Sequence, residues 1–313
     1  MPSDDADLGT RAAWLYYEAS LTQAEISSAL RVPPAKVQRL IARAMRDGLV
    51  RILIQGDMAG CVALERRLSA AHGLDFCRVV PELPGRRPFS SLGRAAAGYL
   101  HGAIEAGTHR IIGVGHGRTL AAMVDHLPLI ERPDLTLVSV IGGVPRRVGA
   151  NPFDVVHALA EKTNAAAWVM PVPFYANTEA DRAVLLRQRG VAETLRLAAD
   201  AGLFIMGVGE VTSRAFICQS AMIQPDEIAD AQRQGAVAEA FGNFYDEAGN
   251  RITTTLHDRV IAVDLEAMRG RDVLMVAGGP EKTAAIRAML RSRLPTALIT
   301  DEVTATALTN PTP

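Results

Sequence analysis

The sequence predicts an α/β protein: a winged helix-turn-helix over residues 1–55, followed by a doubly wound α/β domain over residues 56–313. Three observations carry this. A basic two-helix segment occupies residues 21–47, short apolar and helical stretches alternate from residue 56 onward, and three of the apolar stretches end in glycine turns.

The first segment reads LTQAEISSALRVPPAKVQRLIARAMRD. Thr22 is placed to cap a helix, and Glu25 three positions later can close a capping box. Leu30 and Val32 bracket a tight turn, and Pro34 suits the first turn of a second helix over residues 35–47. Many such turns have glycine where Arg31 stands. In the second helix Val37, Leu40, Ile41 and Ala44 recur at helical spacing, which leaves Lys36, Gln38, Arg39 and Arg43 on other faces. From Arg31 to Ile54 six basic residues stand against one acid, a net +5 in a chain whose total is -1. Basicity concentrated in this way suits contact with phosphates, and a helix in this layout suits a DNA major groove. Lys36, Gln38, Arg39 and Arg43 are therefore the candidate DNA contacts, with Arg39 and Gln38 suited to guanine and adenine edges. A helical hairpin serving protein interaction is the plainer reading of the same residues. Gly48 ends the helix, and LVRILI after it reads as the wing strand.

Composition bounds the classes. The chain has 313 residues, 49% of them hydrophobic, which excludes a largely disordered protein. No apolar run reaches the roughly 18 residues of a bilayer span, and the acidic start MPSDDADLGT is no signal peptide, so a soluble cytoplasmic protein is expected. Cys61, Cys77 and Cys218 form no CxxC pair, so no zinc site and no disulfide framework are expected, and all three read as buried hydrophobes. Of 33 basic residues only Lys36, Lys162 and Lys282 are lysine.

Residues 55–60 read as a linker and 61–72 as a connecting helix. Strands are expected at 76–80, 110–114, 135–141, 166–170, 203–207, 260–263, 273–277 and 297–299, with helices at 92–105, 119–126, 153–162, 191–201 and 281–291. Strands this rich in valine and isoleucine suit a parallel sheet covered on both faces. The stretch RIIGVGHGRTLAAMV places Gly113, Gly115 and Gly117 between a strand and a helix opening near Thr119, which caps that helix or touches a ligand. Gly142-Gly143 and Gly278-Gly279 end two further strands, and Lys282 opens the next helix, where a cation is not what the positive helix end prefers. Lys282 therefore faces an anion or a ligand oxygen. Glycine turns at the carboxyl ends of such strands can converge on one pocket. No acid follows at the end of the next strand, so a nicotinamide cofactor is not expected. No GxxxxGK[ST] loop occurs either. No cofactor and no metal are expected. A small polyhydroxylated or phosphorylated molecule suits the turns best. His116 reads as a ligand hydrogen-bonder, a general base or a helix-start residue without a role. Tyr175 and Asn177 sit in a loop that closes over the pocket or is purely structural. Asp246 and Asn250 read as turn chemistry before Gly249 and a returning strand, and Asp301-Glu302 as the start of the last helix.

Taken in order, LTQAEISSAL, VQRLIARAMRDGLV, GVGHGRTL, QRGVAETLRLAADAGLFIMGVGEV, GAVAEAFGNFYDEAGN, AGGPEKTAAIRAML and LITDEVTATAL give the chain a full-length likeness. It resembles the SorC/DeoR-type family of sugar-responsive bacterial transcriptional regulators. The resemblance implies a helix-turn-helix joined to a sugar-binding effector and oligomerisation domain similar in fold to sugar-phosphate isomerases and CoA transferases. It implies a homo-oligomer, a tetramer built as a dimer of dimers, which binds double-stranded operator DNA under control of a sugar, polyol or sugar-phosphate effector. Carried over by position, it places the effector at Gly115, His116, Gly117, Thr119, Gly143, Glu239, Gly279 and Lys282. Two positions depart from the family pattern: an aromatic residue is frequent where His116 stands, and Gly-Asp where this chain has Ala238-Glu239. The alternative is a sugar-phosphate isomerase-like enzyme with an accessory helical N-terminus. That chemistry needs a carboxylate base beside the substrate, and no Asp/Glu cluster accompanies GVGHGRT.

Overall fold

The computed structural model describes residues 4–19, 21–46, 58–81, 88–143, 155–213, 215–219 and 223–310. The chain divides into two compact units, Met1–Asp57 and Met58–Pro313.

The first unit holds α1 (Asp4–Tyr17), α2 (Gln23–Leu30) and α3 (Pro34–Arg46). The capping box forms as read: Thr22 Oγ1 accepts from the Glu25 N–H at 3.3 Å, and Glu25 Oε2 accepts from the Thr22 N–H at 2.7 Å. Arg31 closes α2 in the left-handed conformation, φ 54 and ψ 41, and the Val32 N–H reaches back to the Ser27 carbonyl at 3.2 Å. Arginine thus occupies the backbone geometry that glycine adopts at least cost. On α3, Val37, Leu40, Ile41 and Ala44 are buried. Val37, Leu40 and Ile41 join Ala12 and Ile26 in a small core edged by Leu8, Leu15, Leu21, Leu30 and Val32. The helix α1 was not anticipated. Its mixed sequence, DDADLGTRAAWLYY, has too weak a periodicity to announce which side packs. The expected wing lies outside the described residues.

The second unit begins with α4 (Met58–His72), so the expected linker at 55–60 runs into a helix whose start takes in Gly60. There follow β1 (Phe76–Val80), α5 (Pro88–Ala106), β2 (Ile111–Val114), α6 (Arg118–His126), β3 (Thr136–Ser139), α7 (Val155–Thr163) and β4 (Ala166–Trp168). Next come α8 (Glu179–Leu186), α9 (Arg189–Ala199), β5 (Leu203–Met206), β6 (Gly209–Glu210), α10 (Phe216–Gln219) and α11 (Pro225–Arg233). The chain closes with β7 (Ala238–Ala240), β8 (Asn243–Tyr245), β9 (Arg251–Ile252), β10 (Asp272–Val276), α12 (Thr283–Arg291), β11 (Ala297–Asp301) and α13 (Glu302–Thr309).

Among the described residues one sheet runs β1-β11-β10-β5-β2-β3-β4, with every pair parallel. Alternate residues of each strand feed opposite layers. In β5, Leu203 and Ile205 pack with Leu92, Leu100, Leu120 and Leu159 of α5, α6 and α7, while Phe204 and Met206 pack with Ile228, Ile286 and Met289 of α11 and α12. From β2 the chain steps outward to β3 and β4, and from β5 it steps the other way to β10 and β11. The boundary between β2 and β5 is therefore the topological switch point of a doubly wound sheet.

Three expectations need correction. Residues 260–263 form no strand. Val260 and Ala262 make single bridges to Tyr175 and Ile141, because this stretch crosses the ends of other segments instead of lying along one. A second, antiparallel sheet β6-β7-β8-β9 was missed, since its strands of two or three residues are too short to show a period. Cys61 and Cys77 are buried, but Cys218 is only half-buried. The turn at Asp246 and Asn250 forms as read, with Asp246 Oδ1 accepting from the Asn250 N–H at 2.8 Å.

The closures of α2 set opposite stability effects. Thr22→Ala removes the cap and should lower the free energy of unfolding by about 1 kcal/mol. Arg31→Gly should raise it by up to about 1 kcal/mol, as the left-handed strain is relieved and partly offset by glycine's freedom in the unfolded chain. Urea unfolding of both variants by circular dichroism checks the signs.

Candidate functional site

A cavity of about 430 Å³ opens at the carboxyl ends of β2 and β5. Its polar lining is His116, Arg118, Thr119, Glu210, Glu239 and Lys282, and its apolar lining includes Phe89, Ile141, Phe174, Ile217 and Phe241. Each side chain arrives by a traceable local route. β2 ends at Val114, and the chain turns through Gly115, His116 and Gly117 into α6. Gly117 caps α6 at φ 138, which glycine adopts freely. Thr119 is therefore not the cap; it is buried in the first turn and faces the cavity. The ring of His116 stands edge-on to Phe174, 5.7 Å between centroids. Arg118 lies over Phe89, its guanidinium 4.8 Å from the ring centroid.

Lys282 comes from the turn after β10. Asp301 holds that turn: its Oδ2 accepts from the Gly279 N–H at 2.8 Å and from Thr304 Oγ1 at 2.9 Å, while its Oδ1 caps α13 through the Thr304 N–H at 2.8 Å. Gly279, at φ 109, caps a single 3-10 turn, Pro280–Lys282, and Lys282 Nζ donates to the Val208 carbonyl at 2.8 Å. One face of the ammonium is thus fixed, with two further N–H bonds left for a ligand. Glu239 comes from β7, where Oε1 accepts from the Gly242 N–H at 2.6 Å. Opposite it in the ladder is Gly209, where a Cβ would lie 2.9 Å from Glu239 Oε2, so a larger residue there would make the carboxylate shift.

Of the effector residues read from sequence, His116, Gly117, Thr119, Glu239 and Lys282 line this one cavity. Gly115, Gly143 and Gly279 do not. Gly115 makes room behind the wall, since a Cβ there would come within 3.0 Å of the Phe241 ring. Gly143 exchanges backbone bonds with Val172 and Phe174. Gly279 spends its N–H on Asp301 and Thr304. Tyr175 and Asn177 do not close over the cavity: Tyr175 is buried in the core beside Phe174, and Asn177 is exposed. Sequence reasoning found no second basic residue for the pocket and no acid besides Glu239. Arg118 and Glu210 supply both. Arg118 adjoins Thr119 in GVGHGRT, and only its place beside the glycine turn could have signalled it. Glu210 follows the GVG of a strand end, the signal that had been used for GVGHG.

Burial sets the charge states. His116 is pushed down to about 4 by loss of water, so at neutral pH its imidazole is uncharged and can donate and accept. Glu239 is raised to about 7, also by burial first, against the lowering pull of the Gly242 N–H and Lys282. Burial and the nearby Arg118 lower Lys282, while Glu210, Glu281 and Glu239 oppose that shift. The cavity therefore sets two cations, Arg118 and Lys282, against Glu210 and a Glu239 that is about half protonated at neutral pH, around a neutral histidine.

In the first unit, Gln38, Arg39 and Arg43 are exposed on α3 and Lys36 is half-buried. The Arg39 Nε donates to the Ala35 carbonyl at 3.3 Å, one turn back along the helix. These four residues share the helix with the buried face of Val37, Leu40 and Ile41.

Opposite pH slopes follow from Glu239 and His116. A carboxylate raised from its usual 4.5 to about 7 contributes stability below 4.5 that disappears as pH rises through 7. A histidine lowered from 6.5 to about 4 contributes stability above 6.5 that disappears as pH falls through 4. Relative to the parent, Glu239→Gln should gain stability as pH climbs across the first window, and His116→Gln as pH falls across the second. Urea unfolding at a series of pH values reads both, and pH-independent differences would contradict the assignment.

Residues 56–310 match the family described as "Putative sugar-binding domain". The chain is 43% identical over 309 residues to the erythritol catabolism regulatory protein EryD of Brucella abortus, covering 98% of each. It is 32% identical over 310 residues to the transcriptional regulator LsrR of Enterobacter sp. (strain 638), covering 97% of this chain and 93% of that one. The crystal structure of the full-length sorbitol operon regulator SorC from Klebsiella pneumoniae shares the fold at 22% identity, with a TM-score of 0.76 over 98% of this chain and 100% of that one. With a capped helix-turn-helix ahead of a doubly wound domain and relatives named as regulators along its full length, the chain belongs to the SorC/DeoR-type family of sugar-binding bacterial transcriptional regulators.

Proposed function

We propose that this protein is a one-component regulator whose operator affinity is set by a small neutral polyol held in the cavity of the second unit. The observation that carries the polyol is the charge balance of that cavity, Arg118 and Lys282 against Glu210 and Glu239, with His116 uncharged. Hydroxyl groups both donate and accept, so they suit a lining that offers both, whereas a phosphate dianion would meet Glu210 and a Glu239 that is about half ionised at neutral pH. The name of the 43% identical relative, an erythritol catabolism regulator, supports a four-carbon polyol as the first ligand to try. A sugar phosphate is the second reading, favoured by Arg118 and by the start of α6 at the cavity. Effector residues are His116, Gly117, Thr119, Glu239 and Lys282, joined by Arg118 and Glu210, with Gly115, Gly143 and Gly279 shaping the turns around them.

DNA recognition falls to Lys36, Gln38, Arg39 and Arg43 of α3. One such helix reads too few bases for specificity, so two copies would present their helices about 34 Å or a multiple apart on an inverted repeat. A tetramer built as a dimer of dimers would double that contact. The effector shifts the placement of the DNA-binding units, with coupling of about 1–3 kcal/mol, or five- to 150-fold in operator affinity. No catalytic role is assigned to Glu210 or Glu239. The regulator acts in the cytoplasm, where its operator is.

Arg39→Ala should weaken operator binding by about 1–3 kcal/mol, leaving the melting temperature and effector binding unchanged. Fluorescence anisotropy with duplex DNA over a salt series reads this, and an affinity that ignores salt would sink the assignment of phosphate contacts. Lys282→Ala should abolish the effector response while operator binding persists; an unaltered response would show the cavity is misassigned. A thermal-shift screen of sugars, polyols and their phosphates identifies the ligand by mass action on the folded state. Turnover of aldose or ketose phosphates above background would restore the enzyme alternative.

A further inference from the structure

The hairpin that carries Glu239 has an unusual residue at its tip. Ala240 pairs with Asn243, so Phe241 and Gly242 are the whole connection between β7 and β8. Both have positive φ, 51 and 76, the geometry of a type I′ turn, in which asparagine, aspartate or glycine is the ordinary occupant of the first position. Here a phenylalanine occupies it. Asparagine comes two positions later, as Asn243, and its Nδ2 donates to the Phe241 carbonyl at 3.1 Å. From the other side Glu239 Oε1 accepts from the Gly242 N–H at 2.6 Å. Side chains on either side of the turn clamp its backbone, so the strained conformation is over-determined by its surroundings.

The ring itself packs tightly against the backbone at Gly115. Phe241 is 7% exposed and still lines the cavity, with its edge 3.0 Å from where a Cβ on Gly115 would stand. The ring belongs to the apolar core and to the cavity wall at once, so its burial offsets turn strain that an asparagine would avoid.

We infer that Phe241 determines which effector the cavity accepts: its ring is the apolar wall against which the carbon skeleton lies, while the neighbouring Glu239 takes the hydroxyls. This inference rests on the polyol reading above. The turn couples the two roles, because the N–H that orients Glu239 belongs to the residue after the ring. A ligand that shifts the ring therefore also shifts the carboxylate.

Isothermal titration of the full chain with erythritol, ribitol, sorbitol and erythrose 4-phosphate tests this, with the parent, Phe241→Asn and Phe241→Leu compared. Asparagine fits the turn but gives up the buried ring, so the ligand-free melting temperature should fall; titrated well below that temperature, affinity for the preferred polyol should fall on the order of tenfold or more and the ranking by chain length should flatten. Leucine retains bulk without a flat ring and should fall in between; it also carries the test if the asparagine variant does not fold. Unchanged affinity and ranking in the folded variants would overturn the inference and leave the polyol reading standing. Absence of binding to the parent by all four probes would overturn both.

Discussion

The parallel sheet has one place where its connections part, and the arrangement of the second unit follows from it. β2 and β5 are hydrogen-bonded neighbours, yet the chain leaves them in opposite directions. Their outgoing turns cannot cover each other, so a crevice opens between them. Into it the fold delivers side chains from separate stretches of sequence: His116, Arg118 and Thr119 after β2, Glu210 after β5, Glu239 from the antiparallel hairpin, and Lys282 after β10. A single carboxylate, Asp301, ties the last of these in place. It caps α13 and holds the Gly279 N–H at once, so the end of the final strand, the final helix and the lysine-bearing turn are tied together.

Withdrawal of His116, Glu239 and Lys282 from water gives the cavity its electrostatic character. An isolated buried charge is costly, and here each charge has counterparts of opposite sign within the same lining. Lys282 is anchored on the Val208 carbonyl, Glu239 on the Gly242 N–H, and Arg118 on the face of Phe89. His116 has no charge to compensate at neutral pH. The result is a site rich in directional hydrogen-bonding groups and poor in net charge, framed by phenylalanine. That combination fits carbon skeletons bearing hydroxyl groups. A fold of this kind hosts several chemistries, so its shape alone says little about what is bound; the lining residues carry the argument.

Glycine does several kinds of work in this unit. Gly117 and Gly279 supply backbone angles that start a helical turn toward the cavity. Gly115 and Gly209 supply space, one for the Phe241 ring and one for the Glu239 carboxylate. Gly143 and its neighbour serve a backbone crossing away from the lining. In the sequence all of these look alike.

The sequence by itself determined whatever depends on residues close together along the chain. The capping box of Thr22 and Glu25, the buried stripe of Val37, Leu40, Ile41 and Ala44, and the turn at Asp246 and Asn250 are local chemistry with a readable period or spacing. Seven of the eight expected strands lie in the parallel sheet, and all but the exposed edge strand β4 are mostly buried apolar runs. Only the tertiary structure decided which glycines face the cavity, that Arg118 and Glu210 join it, that Tyr175 and Asn177 stay away, and that the phenylalanine at residue 241 occupies a turn position suited to asparagine. These depend on strand order and on contacts between residues tens of positions apart. No local period encodes such pairings, because the energy that selects them appears only when the layers pack.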